Sequence, residues 1–402
     1  MKTGDPELMR VINRFHILDL IRRYGPISRV EISQRGELSS TTVSAITGAL
    51  VEDGIIQPVP VGGIHEPARG RPRVMLELNA RAARVVGLRI GPHQIAVAVT
   101  DFRGDVLAHL DLPIRVRRQS VATVADLAED AVRRAVVDAG LTLKEIDSVC
   151  ATMSGIVEYG MGRVRVSPIF AERDVAFGEA LASRLAVPVV VESEANALAL
   201  SEHWFGGSRD LGDLAVLSLE QSIGLGILHG GQVFRGVHGL SHDIGRMVVG
   251  TRPDGSLLRL VDVACEQAVL DGLAADPSVR DAAHAGLGLR HAVDRLARAD
   301  AGVVDLVERA GRAVGIALAN VVSLFSPPRV LLAGSLLHLG APFTGAVARS
   351  FSETVAEPLG EVTEIVVDPP RDARRLGQGA AAIALCELYG SPWNTTGPAR
   401  PA

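Results

Sequence analysis

The chain has almost nothing with which to cross-link itself: Cys150, Cys265 and Cys386 are its three cysteines in 402 residues. They are widely spaced and form no C-x-x-C pair, which excludes a disulfide framework and makes a reducing cytoplasm the expected setting. Long apolar runs are also missing. None reaches the roughly 18 residues of a membrane span, and Met1 to Arg14 is charged and then amphipathic, with no signal-peptide core. Nor is there an excess of positive charge. The net charge of −5 excludes a basic nucleic-acid coat, although a small DNA-binding domain can carry its own local charge. Lysine is scarce beside arginine, a bias that carries no functional information. What remains is ample: 47% hydrophobic residues over a length that suits two or three domains.

The first 80 residues read as one unit. Leu8, Val11, Ile12, Phe15, Leu18 and Ile21 recur at helical spacing, and Gly25-Pro26 ends that helix. Ser28 and Glu31 form an S-x-x-E capping box that starts a short second helix ending near Arg35, with Gly36 supplying a tight turn. Ser39 or Ser40 caps a third helix, with Val43, Ile46 and Leu50 on its core face and Gly54 as its stop. This order is the helix-turn-helix pattern. The β-prone stretches 55–61 and 74–78 then flank a loop from Gly62 to Pro72, so the expectation is a wing.

On the third helix the face opposite the core carries Thr41, Ser44, Ala45 and Gly48, small enough to approach a major groove. Ser40, Thr41, Thr42 and Ser44 are the candidate DNA contacts, since hydroxyls bond phosphates or base edges. In the loop, Arg69-Gly70-Arg71-Pro72 is an extended, Arg-bearing tetrapeptide. Arg69 and Arg71 suit a narrow, negative minor groove at A·T-rich DNA. The plainer alternatives are a helical bundle with Ser/Thr used only as caps, and a merely solvated loop.

From Arg84 the pattern becomes α/β. Strands at 85–90, 95–100 and 106–112 precede a helix at 121–139 and a strand at 146–153. The same β-β-β-α-β order recurs with strands at 214–219, 224–229 and 232–235, a helix at 303–325 and a strand at 330–333. Two copies imply a two-lobed, internally duplicated domain with a cleft, as in ribonuclease-H-like and actin-like sugar kinases. The expected limits are 1–80 for the winged helix-turn-helix and 81–190 for a small lobe completed by a C-terminal helix at 376–390. A large lobe with an oligomerisation surface takes 191–375, and 391–402 form a flexible tail.

With these residues in view the chain resembles the ROK (repressor, open reading frame, kinase) family over nearly its whole length. The stretches that carry the resemblance are GPISRVEISQRGELSSTTVSAITGALVEDGII followed by RGRPRVMLELN, then ESEANALALSEHWFG, GVHGLSHDIGRMVVG, LANVVSLFSPPRVLLAGSLL and LGQGAAAIAL. The resemblance implies a sequence-specific DNA-binding transcriptional regulator, a repressor before an activator; as a homodimer or homotetramer with Arg69 and Arg71 in the minor groove, it is expected to prefer an inverted-repeat operator with A·T-rich flanks.

The departures from the family are informative. Kinases of the family carry an acidic D-x-G-G-T loop for ATP phosphate and metal, where this chain reads Arg89-Ile90-Gly91-Pro92-His93. The second phosphate loop reads Glu220-Gln221-Ser222-Ile223-Gly224, and a carboxylate there repels phosphate. The catalytic base of E-N-D-A-N becomes Glu194 in Glu192-Ser193-Glu194-Ala195-Asn196. The expectation is therefore a non-enzyme with no catalytic residue and no cofactor. The alternative is an ATP-dependent sugar kinase carrying a fused DNA-binding domain; a purely structural partner-binding protein is the third reading. The family's zinc ligands are replaced by Arg246, Leu258 and Leu260, leaving Cys265 alone, so no metal is expected. The family's sugar contacts fall at Ile169, Ser193, Glu194, Asp243 and Arg246, and none is the usual residue. Ser193, Glu194, Asp243 and Arg246 are the candidate effector-binding residues. Arg246 favours a carboxylate or phosphate over a neutral sugar, unless it pairs with Glu194 or Asp243 and closes the cleft with the protein's own charges.

Overall fold

The computed structural model describes residues 6–59, 74–275, 288–369 and 371–390. The N-terminal unit comprises α1 (Pro6–Tyr24), β1 (Ile27–Ser28), α2 (Arg29–Gly36), α3 (Ser40–Glu52), β2 (Ile56–Val59) and β3 (Met75–Leu78). The Ser28–Glu31 capping box forms as expected, with Ser28 Oγ accepting from the Glu31 amide at 3.3 Å and the Glu31 carboxylate accepting from the Ser28 amide at 3.0 Å. The turn after α2 differs by one residue from the sequence expectation. Glu37, not Gly36, takes the left-handed conformation (φ 51°). Ser39 is the N-cap of α3, so Ser40 is already helical. Strands β2 and β3 pair antiparallel, Ile56 with Leu78, and form the expected wing. The short β1 joins β3 as a third strand that the sequence did not announce.

The first lobe is a five-stranded sheet ordered β10-β7-β4-β5-β6. Its elements are β4 (Arg84–Ile90), β5 (Ile95–Asp101), β6 (Val106–Leu112), α4 (Val121–Asp138), β7 (Ser148–Met153), the hairpin β8 (Ile156–Glu158) and β9 (Arg163–Val166), α5 (Phe177–Leu185) and β10 (Val189–Ser193). Next comes α6 (Glu194–Phe205). The second lobe repeats the order as β13-β12-β11-β16-β17. It holds β11 (Leu214–Leu219), β12 (Ile223–His229), β13 (Gln232–Val233), β14 (Val248–Thr251), β15 (Leu257–Arg259), α7 (Val261–Ala264), α8 (Glu266–Ala274), α9 (Leu289–Ala297), α10 (Ala301–Phe325), β16 (Arg329–Ala333), α11 (Ala341–Thr354), α12 (Glu357–Val362) and β17 (Glu364–Val367). The duplication read from the sequence is the architecture found.

The last helix, α13 (Ala373–Leu388), returns to the first lobe. Its packing is backbone on backbone. A Cβ at Gly87 of β4 would run into Gly377 O and Ala381 N, and a Cβ at Gly377 into the Val97–Ala98 backbone of β5. Strand alternation sends Val86 and Leu88 toward α4 and α5, while Val85 joins a core shared with α6, α13 and the winged helix. Sheet, α13, α6 and the second sheet are thus stacked, and α6 runs through the middle of the protein with all but its last residue buried.

That shared core also fixes the DNA-binding unit. Ile17, Leu18 and Ile21 of α1 are buried in one cluster with Trp204 of α6 and Tyr389 beyond α13. Arg14 donates to Tyr389 O at 3.1 Å, Tyr389 Oη to Phe102 O at 2.9 Å, and Arg103 Nε to Leu78 O of the wing at 2.8 Å.

Candidate functional site

Two places collect the expected residues. On α3, Ser40, Thr41, Ser44 and Ala45 are exposed, whereas Val43, Ile46, Thr47 and Leu50 face the core. Thr47 Oγ1 donates to Val43 O at 2.7 Å and accepts from Arg29 Nε at 2.8 Å, which ties α2 to α3. Thr42 differs from its expected partners. It is half-buried, with its hydroxyl 2.8 Å from Ser39 Oγ and its amide bonded to the same oxygen, so it serves the helix cap. Arg69 and Arg71 lie outside the described residues.

The second place is a cavity of about 350 Å³ between the lobes, bounded by Ser193, Glu194, Asp243 and Arg246 together with Ser154, His242 and Arg259. All four expected effector residues meet there. Ile169 does not: it is fully buried in the first-lobe core, away from the cavity lining. Two of the four are already committed. Ser193 Oγ caps α6 by accepting from the Asn196 amide at 3.3 Å. Glu194 accepts from Ser154 Oγ at 3.0 Å through Oε2 and from Arg89 through Oε1.

Arg89 is the residue whose role sequence reasoning missed. Position 89 lies on the same face of β4 as Val85 and Gly87, the face turned to the inter-lobe layer. Its guanidinium donates to Glu194 Oε1 (2.9 Å from Nε, 2.7 Å from Nη2) and to Glu220 Oε2 (2.6 Å). Arg89 and Glu194 are about 5% exposed (5% and 4%). Burial alone would lower the Arg89 pKa; Glu194 and Glu220 outweigh it and push the group above the ordinary arginine range. One positive charge is shared between two carboxylates. Glu220, pushed up by burial and by the neighbouring Glu194 and Glu266 against the pull of Arg89, reaches a pKa of about 7. The three positions that the family resemblance assigns to phosphate, metal and catalytic base thus satisfy one another.

With Glu194 bound to Arg89, the expected alternative of an Arg246–Glu194 pair does not form. Arg246, Arg259 and Asp243 make no side-chain ion pair among the described residues, while Asp262 is held by Arg252 at 2.6 Å. His242 stacks on Phe234, and burial lowers its pKa. Beneath the cavity, buried Glu192 receives Arg235 at 2.6 Å and Asn196 Nδ2 at 3.0 Å. The signal for this pair was Glu192 in the E-S-E-A-N stretch; its partner 43 residues away carries none.

Of the expected zinc positions, Arg246 lines the cavity, and Leu258, Leu260 and Cys265 belong to the second-lobe core. Leu260 is fully buried, Leu258 packs on the same core, and Cys265 caps α8, its sulfur accepting from the Ala268 amide at 3.4 Å. No cluster of metal-ligating side chains occurs among the described residues.

Comparison with known proteins agrees with the geometry. The profile of the ROK family matches residues 85–387. The chain belongs to the ROK family. A winged helix-turn-helix DNA-binding profile matches residues 12–57 of this ROK protein. The DNA-binding transcriptional dual regulator NagC of Escherichia coli K12 is 26% identical over 342 residues, 83% of this chain and 82% of its own. A solved ROK family transcriptional regulator, a homologue of the E. coli MLC protein, shares the fold with a TM-score of 0.76 at 24% identity, over 96% of this chain and 98% of that one. The ROK hexokinase of Thermus thermophilus superposes with a TM-score of 0.61 at 25% identity, over 76% of this chain and 99% of that one. The regulators span both units of this ROK chain; the kinase spans less of it.

Proposed function

We propose that this ROK protein is a cytoplasmic transcriptional regulator, repressing before activating, which binds double-stranded DNA as a homodimer or homotetramer and uses its two-lobed domain as a sensor without kinase activity. The observation that carries the reading is the pairing of an exposed small-residue face on α3, inside a docked winged helix, with a phosphate site filled by Arg89, Glu194 and Glu220. No helix among the described residues is long and apolar enough to cross a membrane. α3 enters the major groove with Ser40, Thr41 and Ser44, Arg69 and Arg71 reach the minor groove, and a dimer selects an inverted repeat with A·T-rich flanks.

For the sensor, an anionic effector fits better than a neutral sugar. Two arginines, 246 and 259, border the cavity without ion-pair partners among the described residues, and Asp243, on the same cavity, has none there either. Titration calorimetry with sugar phosphates and sugar acids, with the parent sugars as controls, tests this. Anions bind, the parent sugars do not, and Arg246→Ala weakens the anion by at least tenfold, about 1.4 kcal/mol; anion affinity left intact by that change sinks the anionic reading. An ATP-turnover assay over a sugar panel tests the other half: turnover with any sugar favours the kinase with a fused DNA-binding unit.

A further inference from the structure

The two lobes of an actin-like kinase need something between them. In the family resemblance, the loop after the first strand and the loop between the corresponding strands of the second lobe both face nucleotide phosphate. Here Arg89 occupies the end of β4 and Glu220 the turn between β11 and β12. Their contact at 2.6 Å joins the two sheets through one buried side chain. Gly91 leaves room for it: a Cβ there would collide with the Arg89 guanidinium. Glu220 is braced in turn, since its carbonyl accepts the first amide of α8, from Glu266, at 2.9 Å.

The third member, Glu194, is the first residue of α6. That helix is 12 residues long, about 18 Å. It is wedged on both sides by glycine contacts: a Cβ at Gly226 of β12 would strike the Ala195 backbone, and one at Gly379 of α13 would press on Ser201. Contacts this close restrain the helix at both its start and its later turns, the condition for a shift at one end to be carried to the other. The far end holds the DNA-binding unit. Arg22 of α1 lies 4.4 Å over the Trp204 ring, and Arg23 Nη2 is 2.8 Å from His203 Nε2.

Resting on the regulator reading above, we infer that Arg89 is a positioning residue for DNA binding: it replaces a nucleotide as the bridge between the lobes and, through Glu194 and α6, sets where the winged helix is held. Closure of the cleft is then built into the chain, and the sensor works without ATP.

The test is a double-mutant cycle in the full chain, read as the Kd for a duplex that the wild-type protein selects from a random pool, at fixed salt. Arg89→Gln is expected to weaken binding at least about fivefold, and Arg89→Lys to recover at least half of that loss on a logarithmic scale. In an Arg23→Gln background, where one of the contacts at the far end of α6 is removed, Arg89→Gln is expected to cost at least about twofold less in Kd than it does in the wild-type protein. Should Arg89→Gln fail to fold, Glu220→Gln removes one arm of the bridge with an isosteric neutral group and enters the same cycle. The inference is overturned if either pocket-end variant binds like the wild type, or if the losses at the two ends simply multiply. Failure of the wild-type protein to select or bind any duplex overturns the regulator reading itself.

Discussion

Arg23 of α1 and His203 of α6 meet across the boundary between the DNA-binding unit and the lobes, Nη2 to Nε2 at 2.8 Å. A guanidinium can only donate, so His203 accepts at Nε2 and carries its proton on Nδ1. Protonation would set imidazolium against guanidinium. Burial, with Arg23 and Arg22 adding and Asp19 opposing, lowers the His203 pKa to about 4.

The folded pKa lies below the ordinary 6.5, so the unfolded chain binds more protons between these values. Stability from this group is complete above pH 6.5 and is lost as pH falls toward 4. The size is on the order of 3 kcal/mol. Amide protection factors of α1, corrected for the intrinsic pH dependence of exchange, should fall at pH 5 relative to pH 7.5, and His203→Gln should flatten that fall. A wild-type α1 equally protected at both values would contradict the assignment.

Glu220 gives a slope of the opposite sign. Its folded pKa, about 7, is above the ordinary 4.5, so ionisation between these values costs folding free energy and stability from this group falls as pH rises. Glu220→Gln should therefore raise the melting temperature at pH 8 relative to pH 5, compared with the wild-type protein. A pH dependence unaltered by the change would show that Arg89 fully compensates both carboxylates.

Much of this was legible in advance and some was not. The Ser28–Glu31 box, the Val43/Ile46/Leu50 stripe and the two β-β-β-α-β runs depend on neighbours within a few residues, which a sequence displays directly. Arg89 and Glu194 are 105 residues apart, and Arg89 and Glu220 131 apart. Nothing local says which of several arginines reaches which acid: the sequence leaves a pair of Arg246 with Glu194 or Asp243 open as an alternative, whereas sheet order and strand alternation bring Arg89 to Glu194. The cap role of Thr42 was hidden for a different reason: an exposed hydroxyl and a capping one look the same in sequence, and only the N-cap position of Ser39 separates them.

On DNA, Arg69→Ala with Arg71→Ala should weaken binding and reduce the salt slope by up to about one unit for each lost phosphate contact. Thr41→Ala with Ser44→Ala should lower affinity for the selected duplex more than for a scrambled one. Anisotropy titrations at several salt concentrations measure both. An unchanged slope for the arginine pair would remove the loop from the interface.

For metal, elemental analysis of the purified protein should find no stoichiometric zinc, and a chelator should leave the melting temperature unchanged. The reason is local: the Cys265 sulfur is engaged at the N-terminus of α8, and Leu258 and Leu260 fill the places of two ligands. About one tightly held zinc per chain would contradict this packing.

The return of α13 to the first lobe has a consequence for synthesis. Its close backbone contact with β4 and β5 covers one face of a sheet whose first strand in the chain begins at Arg84, yet α13 leaves the ribosome only after the whole second lobe. Tyr389, which also anchors Arg14 of α1, comes later still. The nascent first lobe thus keeps one face of its sheet uncovered through most of translation, and long-range closure of this kind is slow and exposed to chaperones. A message truncated before codon 373 would yield a winged helix with no partner for α1 at Tyr389, so the structure itself ties secure docking of the DNA-reading unit to completion of the polypeptide.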